Sequence, residues 1–436
     1  MKFFSTERKA PELSFQEAVV MGLAPDNGLF FPSFIPRLGD EILNQLDTLS
    51  PAEIGFYMMR PFVADDIEED DLRQIVEETL SFEIPIKKVT DDIYTLELFH
   101  GPTLAFKDVG ARFMSRCLAH FSEDSHNVTV LVATSGDTGS AVANGFLGVD
   151  GVDVIVLYPK GKVSKLQEKQ FATLGNNITA IAVDGVFDDC QKLVKEAFLD
   201  HELRNALHLS SANSINLARW LPQSIYYGLM VPQIRKLAGS EKEIVVSVPS
   251  GNFGNLTAGI LAQKMGIPIR RFISATNAND VVPEFLSSGV YRPRPSVETI
   301  ANAMDVGAPS NFSRLMELYD GSVSNVQNHL KGYAFDDQTI KATMAEVYTK
   351  YGYLLDPHGA TGFKALKLDG LDSNEVGVFI ETAHPAKFGH TVSHAIGESP
   401  EIPPRLQKFA DREVISRPMQ NDFKEFKSFL LKEAHK

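Results

Sequence analysis

Cysteine is scarce in this sequence, since Cys117 and Cys190 are the only two among 436 residues. Two cysteines cannot build a disulfide framework, so we expect a reducing compartment and place the protein in the cytoplasm. Both lie in segments with a helical pattern. We therefore expect buried or half-buried thiols and not a disulfide framework.

Long apolar runs and an excess of basic charge are also missing. No run of about 18 or more uninterrupted apolar residues occurs, so no membrane span is expected, and the first residues make a poor secretory signal. The formal net charge of -14 argues against a reader of nucleic-acid backbones, which needs a basic face. A small anionic substrate stays possible, because a local cluster can oppose the global sign. We expect a small-molecule substrate as the partner, with neither nucleic acid nor membrane.

The composition that is present fits a globular protein with a sizeable core: 44% of residues are hydrophobic and 22% are charged. The segment 1–92 has helical patterns at Ser14–Leu23 and Pro51–Val63, then an acidic run, Asp65–Asp71, typical of a solvated helix start. We predict a small, mostly helical N-terminal unit over residues 1–92 and a second region over residues 93–436.

From about residue 93, short β-branched runs alternate with longer helical patterns. The predicted strands are Ile93–Leu98, Val128–Ala133, Asp153–Tyr158, Ile178–Val183, Ile244–Val248, Phe272–Ala275 and Val376–Ile380. The predicted helices are Val109–Phe121, Ser164–Leu174, Phe187–Leu199, Ser214–Leu237, Leu256–Met265, Gln338–Tyr351 and Gly359–Leu368. This alternation predicts an α/β protein with a parallel sheet covered on both faces. Ligands of such sheets bind beyond the carboxyl ends of strands, so we expect the segments after these runs to meet at one edge of one sheet.

Lys107 is the next-to-last residue of the first of these segments, Phe99–Asp108. Its Gly-Pro pair forces a turn, and a helix is expected to start at about Asp108. The helix dipole disfavours a cation there, which suits a lysine that must lose its proton and attack an aldehyde. Local sequence alone favours the common alternative, a solvated surface lysine beside Asp108.

Three polar segments after other strands suit an anion. Thr134–Ser140 and Pro249–Asn255 each open a helix, where backbone N–H groups can hold one; plain helix capping is the alternative. The glycine spacing in Pro249–Asn255 is that of neither the dinucleotide fingerprint nor the nucleotide-triphosphate loop, so a phosphate monoester fits better. The third segment, Ser210–Arg219, leads into a predicted long helix. Its Ser214 and Arg219 can converge on an anion, and the alternative is an N-cap plus an exposed arginine.

The segment after the last strand contains Thr382 and His384. Thr382 is expected at a strand's carboxyl end, where its hydroxyl can meet a ring nitrogen, whereas His384 fits a packed or capping role slightly better than a catalytic one. Taken together, these segments describe an enzyme with a lysine nucleophile and a phosphorylated ligand. Pyridoxal phosphate needs a lysine, a phosphate cradle and a partner for its pyridine nitrogen.

Motifs along nearly the whole chain then identify a family. They are Ser14–Ala18, Gly28–Phe30, Leu98–Asp108, Thr134–Gly139, Ser211–Asn216, Ser250–Asn255, Asn302–Val306 and Thr382–Phe388. In these motifs and their order, the sequence resembles the threonine synthases of the longer type found in bacteria and fungi.

The resemblance implies two α/β lobes of the tryptophan-synthase β type with pyridoxal 5'-phosphate between them, plus an N-terminal unit. It implies conversion of O-phospho-L-homoserine and water to L-threonine and phosphate, the last step of threonine biosynthesis. Lys107 is similar to the Schiff-base lysine and Thr382 to the partner of the pyridine nitrogen. The positions similar to the cofactor phosphate loop are Gly251, Asn252, Phe253, Gly254 and Asn255, and those similar to the substrate-phosphate site are Thr134, Ser135, Thr138, Ser214 and Arg219. No metal is implied, and a monomer or homodimer is expected.

One position departs from the pattern of this fold group. Many relatives place asparagine against the cofactor's phenolic oxygen, where this sequence has Asp137. An ionised aspartate would repel a phenolate, so either a proton is shared or Asp137 points elsewhere.

Other functions remain open at this stage. On the same fold, the alternatives are a serine/threonine dehydratase and a phospho-lyase that releases 2-oxobutyrate. The two phosphate-friendly clusters besides the cofactor loop favour a phosphorylated substrate over serine. Synthase and phospho-lyase differ only in whether water is captured at the β-carbon. A non-catalytic phospholigand-binding relative would be expected to lose Lys107. A nicotinamide-dependent oxidoreductase is disfavoured because its fingerprint is missing.

Overall fold

A computed structural model describes residues 1–122 and 128–433. The chain forms two compact units, each assembled from separate stretches of sequence. The first unit comprises Met1–Phe30, Lys107–Arg219 and Ile402–Lys436, and the second comprises Phe31–Phe106 and Trp220–Glu401.

The strands and helices alternate along most of the chain. The strands are β1 (Phe3–Ser5), β2 (Phe30–Pro32), β3 (Ile86–Lys88), β4 (Ile93–Glu97), β5 (Val128–Ala133), β6 (Val152–Pro159), β7 (Ile178–Asp184), β8 (His208–Ser211), β9 (Glu243–Pro249), β10 (Arg271–Thr276), β11 (Leu330–Ala334), β12 (Glu375–Glu381) and β13 (Ser416–Gln420). The helices are α1 (Phe15–Met21), α2 (Asp40–Gln45), α3 (Pro51–Val63), α4 (Glu69–Thr79), α5 (Lys107–Ser122), α6 (Asp137–Phe146), α7 (Lys165–Ala172), α8 (Phe187–Leu199), α9 (His201–Ala206), α10 (Leu217–Trp220), α11 (Ile225–Ala238), α12 (Gly254–Lys264), α13 (Val281–Ser288), α14 (Phe312–Leu318), α15 (Val323–His329), α16 (Asp337–Tyr351), α17 (Pro357–Asp369), α18 (Gly389–Ile396), α19 (Pro404–Ala410) and α20 (Phe423–Glu433). Short 3₁₀ helices span Leu221–Ser224, Asn302–Met304 and Pro385–Phe388.

The first unit is built on a parallel five-stranded sheet with the order β13-β7-β6-β5-β8. Its central strand residues are apolar on both faces, as a sheet covered on both sides requires. All six residues of β5 are buried. One face packs on α8 and α20 through a core that includes Leu193, Val194, Phe426 and Leu430.

The second unit is built on a six-stranded sheet with the order β11-β10-β9-β12-β4-β3, in which only β3 runs antiparallel. All seven residues of β12 are buried. Its core joins the sheet to α16 and α17 through residues such as Met344, Val347, Phe363 and Phe379.

These two units confirm the predicted α/β class with two parallel-sheet lobes, and helices α1–α4 confirm a mostly helical N-terminal segment. The expectation of one shared sheet edge is wrong, because the strands divide between two sheets. Apolar alternation marks a strand but does not say which sheet it joins.

The long helix predicted over Ser214–Leu237 is also wrong. In the structure, this segment forms a turn, followed by α10, a 3₁₀ helix and α11. Pro222 lies at the start of the 3₁₀ segment, where its missing N–H and fixed φ interrupt an α-helical ladder.

The predictions for the cysteines are confirmed. Cys117 on α5 and Cys190 on α8 are both free and buried, and burial raises the pKa of the Cys190 thiol to about 12. Among the described residues, no helix is long and apolar enough to cross a membrane.

Candidate active site

In each sheet, the polar loops predicted from the sequence follow two adjacent strands. Between these two strands, the direction in which the chain adds strands to the sheet reverses. In the first unit, the chain leaves β5 toward β6, while β8 lies on the other side of β5. In the second unit, the chain leaves β9 toward β10, while β12 lies on the other side of β9. Loops diverge at such points and leave a crevice for a ligand at the carboxyl ends of the strands.

Lys107 is the first residue of α5 and is half-buried. Its Nζ donates a hydrogen bond to Thr138 Oγ1 at 2.8 Å. The side chain therefore turns toward the loop after β5. This placement disfavours a freely solvated lysine.

Thr134 orders the loop that contains this partner. Its side chain is buried, and its Oγ1 accepts from the backbone N–H groups of Gly136 at 2.9 Å and Gly139 at 2.7 Å. Ser135 is half-buried in the same loop. The hydroxyls of Thr134, Ser135 and Thr138 are thus gathered at the start of α6.

Asp137 is the first residue of α6, and its carboxylate Oδ1 accepts from Gln167 Nε2 at 2.8 Å. This bond orients one oxygen toward α7. The suggestion that Asp137 contacts a phenolic oxygen stays a prediction.

Ser214 lies in the turn after β8, which is tied to the end of β5, and Arg219 lies on α10, which follows that turn. Asn213 Nδ2 donates to the carbonyl of Ala133 at 3.0 Å, so the turn is held against the end of β5. Arg219 is only 3% exposed, and its Nη1 donates to the carbonyl of Ala212. The turn that contains Ser214 therefore lies beside the end of β5, and the exposed-arginine alternative is wrong because Arg219 is buried.

In the second unit, Gly251–Asn255 follow β9 and Thr382 follows β12, and these strands pair directly in parallel. Thr382 is 7% exposed, and its carbonyl accepts from the Phe106 N–H at 2.8 Å. The predicted phosphate loop and the predicted ring-nitrogen partner hence lie at one edge of this sheet.

The geometry of Gly251–Asn255 fits an anion. A Cβ on Gly251 would lie 2.8 Å from the carbonyl oxygen of Ala303 and 2.8 Å from Met304 Cα, so the backbone passes where no side chain has room. Phe253 adopts a left-handed conformation with φ of 61°, and no side chain of the described residues caps α12, which starts at Gly254. The exposed N–H groups of such a helix start attract a phosphate.

Asn255 supplies a further donor. Its Oδ1 accepts from the hydroxyl of Tyr227 at 2.7 Å, yet its buried Nδ2 finds no hydrogen-bond partner within residues 1–122 and 128–433. A buried donor without an acceptor is costly, which a bound anion relieves. The residues present therefore fit the phosphate group of pyridoxal phosphate.

His384 has the capping role that the sequence favoured. Its Nδ1 accepts from the Ala386 N–H at 3.2 Å, and its ring packs edge-on against Phe99. Burial lowers the pKa of His384 to about 4, so the ring is neutral at neutral pH.

A buried polar cluster beside Thr382 was missed by sequence reasoning. His358 Nδ1 lies 2.6 Å from Asp356 Oδ1, and Glu381, the residue before Thr382, is fully buried. The only indication in the sequence was the tripeptide Asp-Pro-His, which is also typical of an ordinary helix start. In the structure, Asp356 caps α17 and Pro357 is the first residue of that helix. Across the described part of the chain, no group of three or more metal-ligating side chains is placed to hold a metal ion.

Comparison with known families gives three matches in chain order. Residues 2–80 match the model described as threonine synthase N terminus, residues 80–382 match pyridoxal-phosphate dependent enzyme, and residues 359–430 match threonine synthase, C-terminal. The chain is 45% identical over 434 residues to the threonine synthase of Serratia marcescens, covering 99% of each chain. It is 44% identical over 432 residues to that of Escherichia coli, again covering 99% of each.

Solved structures give the same result. The crystal structure of threonine synthase from Escherichia coli superposes with a TM-score of 0.93 at 43% identity, covering 99% of this chain and 100% of that one. The structure of threonine synthase from Brucella melitensis, which has pyridoxal phosphate bound, superposes with a TM-score of 0.93 at 34% identity over the full length of both.

Proposed function

The chain belongs to the threonine synthase family, and from this membership we propose which of its residues act on substrate and cofactor. It is a pyridoxal-phosphate-dependent enzyme that converts O-phospho-L-homoserine and water to L-threonine and phosphate, a carbon–oxygen lyase of threonine biosynthesis. The observation that carries the assignment of residues is the Lys107 Nζ to Thr138 Oγ1 hydrogen bond, at the loop proposed for the substrate phosphate.

We assign the cofactor's phosphate to Gly251, Asn252, Phe253, Gly254 and Asn255, and its ring nitrogen to the Thr382 hydroxyl. When bound, pyridoxal phosphate supplies an electron sink that acidifies the carbon next to the substrate amine. Thr382 has no charge to lose or gain, so it accepts or donates a hydrogen bond without placing an ion at the ring. Asp137 is retained as the proposed neighbour of the phenolic oxygen.

The Lys107 amine would hold the cofactor until substrate arrives, and it acts as the base that removes the substrate α-proton and later returns a proton to that carbon. Its bond to Thr138 Oγ1 keeps the amine beside the loop proposed for the substrate.

Thr134, Ser135, Thr138, Ser214 and Arg219 are assigned to the substrate phosphate. They hold it before the C–O bond breaks and stabilise the charge that it gains afterwards. A guanidinium suits this task because its fork matches two phosphate oxygens.

Product analysis tests the reaction. Incubation with O-phospho-L-homoserine is expected to yield L-threonine and phosphate in equal amounts. Release of 2-oxobutyrate and ammonia in place of threonine would show that water is not captured, and the chain would then act as a phospho-lyase.

Asn255→Ala tests the phosphate loop. Because a hydrogen bond to a charged group contributes about 1.5–3 kcal/mol, we expect pyridoxal phosphate to bind roughly 10- to 100-fold more weakly. Pyridoxal, which lacks the phosphate, should bind equally to both proteins. As a control, Asn279→Ala removes a buried asparagine whose Nδ2 already donates to Val297 O at 2.9 Å, and it should leave the preference for pyridoxal phosphate over pyridoxal unchanged. Equal weakening of both ligands in Asn255→Ala would place Asn255 away from the phosphate.

The remaining proposals are coarser. We place the protein in the cytoplasm, as a monomer or homodimer without a nucleic-acid or membrane partner. We also retain 1–92 as an N-terminal unit and 93–436 as the catalytic region; this is a boundary in sequence, supported by the family match to residues 2–80. It does not coincide with the compact units, which draw on separate stretches of chain.

A further inference from the structure

Glu381 is a fully buried carboxyl group at the end of β12, directly before Thr382. It packs against the first turn of α17, where a Cβ on Gly359 would collide with its carboxyl oxygens. Burial without a cation raises the pKa of Glu381 well above its ordinary value, and the nearby carboxyls of Asp356 and Glu97 act in the same direction.

The carboxyl of Glu381 lies beside Gly359, whose N–H donates to Asp356 Oδ1 at 3.4 Å, so the two carboxyl groups are neighbours. A hydrogen bond between them raises the pKa of Glu381 and lowers the pKa of Asp356. Throughout the described ranges, no side chain with an N–H or hydroxyl group donates to either oxygen of Glu381 or to Asp356 Oδ2. The Asp356 backbone N–H is directed at Glu381, but its effect on the pKa of Glu381 is outweighed by burial and by the neighbouring carboxyls. Two ionised carboxylates have only acceptors, so the bond between the two carboxyl groups requires a proton on one of them.

The proton belongs to Glu381, because Asp356 is already held as the anion. Asp356 Oδ1 accepts from the His358 backbone N–H at 2.5 Å and lies 2.6 Å from His358 Nδ1. These contacts lower the pKa of Asp356 despite its burial.

His358 continues the network toward the proposed phosphate loop. Its Nε2 accepts from the Ala303 N–H at 3.2 Å, which leaves Nδ1 as the nitrogen that carries the ring proton toward Asp356. Ala303 and Met304 in turn pack on Gly251, whose missing side chain gives them room. Contacts thus run without a gap from Thr382 to Gly251.

We propose that Glu381 is a protonated positioning residue, which fixes Thr382 directly and, through Asp356 and His358, holds the Asn302–Met304 turn against Gly251. This rests on the proposed function in so far as Thr382 and Gly251 hold the cofactor. The ligand whose affinity Glu381 controls is pyridoxal phosphate itself.

The groups around Glu381 set the sign of its pH dependence. Asp356 precedes α17, Glu97 lies on β4, and the Tyr353 hydroxyl donates to Glu97 Oε1 at 2.8 Å, while His100 Nε2 lies 2.7 Å from Glu97 Oε2. Because folding raises the pKa of Glu381, its contribution to stability is complete below the unfolded value of about 4.3 and is lost as pH rises toward the folded value. Glutamine in its place does not titrate.

The test compares apoprotein melting temperatures of E381Q and wild type between about pH 5 and about pH 8. We expect the melting temperature of E381Q to rise relative to that of wild type as pH rises. The matched control is E375Q at the other end of β12: Glu375 Oε2 lies 2.9 Å from Arg271 Nη2, and this ion pair lowers the pKa of Glu375. E375Q should therefore be less stable than wild type by a constant amount between about pH 5 and about pH 8, and should recover only as pH falls below about 4.3.

Cofactor affinity and infrared spectra complete the test. E381A leaves Asp356 Oδ2 unpaired and should weaken pyridoxal phosphate binding roughly 10- to 100-fold, whereas E381Q, which keeps a donor, should restore it. At about pH 8, the infrared spectrum of the wild-type apoprotein should show the band of a protonated carboxyl group, and E381Q should lack it. Asp305 does not contribute to this band, because burial raises its pKa only to about 6 and it is ionised at that pH.

Two results would overturn the proposal. One is an E381Q variant whose stability relative to wild type does not change between about pH 5 and about pH 8, as for E375Q, and which lacks no infrared band relative to wild type; Glu381 would then be an anion. The other is an E381A variant that binds pyridoxal phosphate as tightly as wild type. Neither measurement uses substrate, so both stay informative even if the chain makes no threonine.

Discussion

Lys107→Ala is expected to lower turnover by more than about 10³-fold, because one amine both joins the cofactor and moves the α-proton, and a positioned acid–base group alone is worth roughly 10²–10⁴-fold. The visible absorbance of the lysine-bound cofactor should disappear as well. Stability should change little, since the Lys107 side chain is only half-buried and its Nζ donates to the Thr138 hydroxyl, not to the backbone of a core element. Absorbance spectra and steady-state rates measure both effects.

Lys387 is the matched control for this variant. It is more deeply buried than Lys107, with 3% exposure, and its Nζ donates to the carbonyl of Thr103 at 2.9 Å. That bond stabilises the loop that contains Thr103, and its acceptor is a backbone carbonyl, whereas Lys107 contacts a side-chain hydroxyl. Lys387→Met should therefore keep the chromophore while losing some stability. A Lys107→Ala protein that retains a borohydride-reducible chromophore would overturn the assignment.

Arg219→Ala is expected to lower kcat/KM for O-phospho-L-homoserine by roughly 10²–10³-fold, the usual effect of removing one donor that stabilises developing charge. Cofactor affinity should be nearly unchanged, because Arg219 is assigned to the substrate phosphate. Inhibition by inorganic phosphate should weaken in parallel. Rates over a range of substrate and phosphate concentrations, with a cofactor titration, separate these effects.

Arg219→Lys provides the comparison within the same position. It keeps the charge but loses the fork and its bond to the Ala212 carbonyl, so we expect a loss intermediate between wild type and Arg219→Ala. Equal losses of substrate use and cofactor affinity in Arg219→Ala would place the guanidinium at the cofactor.

Sequence patterns predicted the central strands well and the edge strands poorly. The predicted β5 matches Val128–Ala133 at both ends, because a strand with neighbours on both sides and helices on both faces has to be apolar throughout. The edge strands β3, β8, β11 and β13 were missed. In β13, four of the five residues are exposed or half-buried, so neither an apolar run nor a regular alternation appears.

The residues of the candidate site also fall into two groups, those that the sequence predicted and those that it did not. Lys107, Gly251 and Arg219 belong to loops whose glycine, hydroxyl and charge pattern has a local chemical meaning, so the sequence alone pointed to them. The Glu381 network was not predictable, because its partners Asp356 and Ala303 are brought together only by packing of α17 on β12. A glutamate at the end of a strand looks like any solvated carboxylate until its burial is known.

Borohydride reduction of the holoenzyme followed by peptide mapping tests the assignment of Lys107 most directly. The expected result is a single pyridoxyl group on the peptide that contains Lys107, at close to one per chain. Recovery of that group on another lysine, Lys387 above all, would contradict the proposed site.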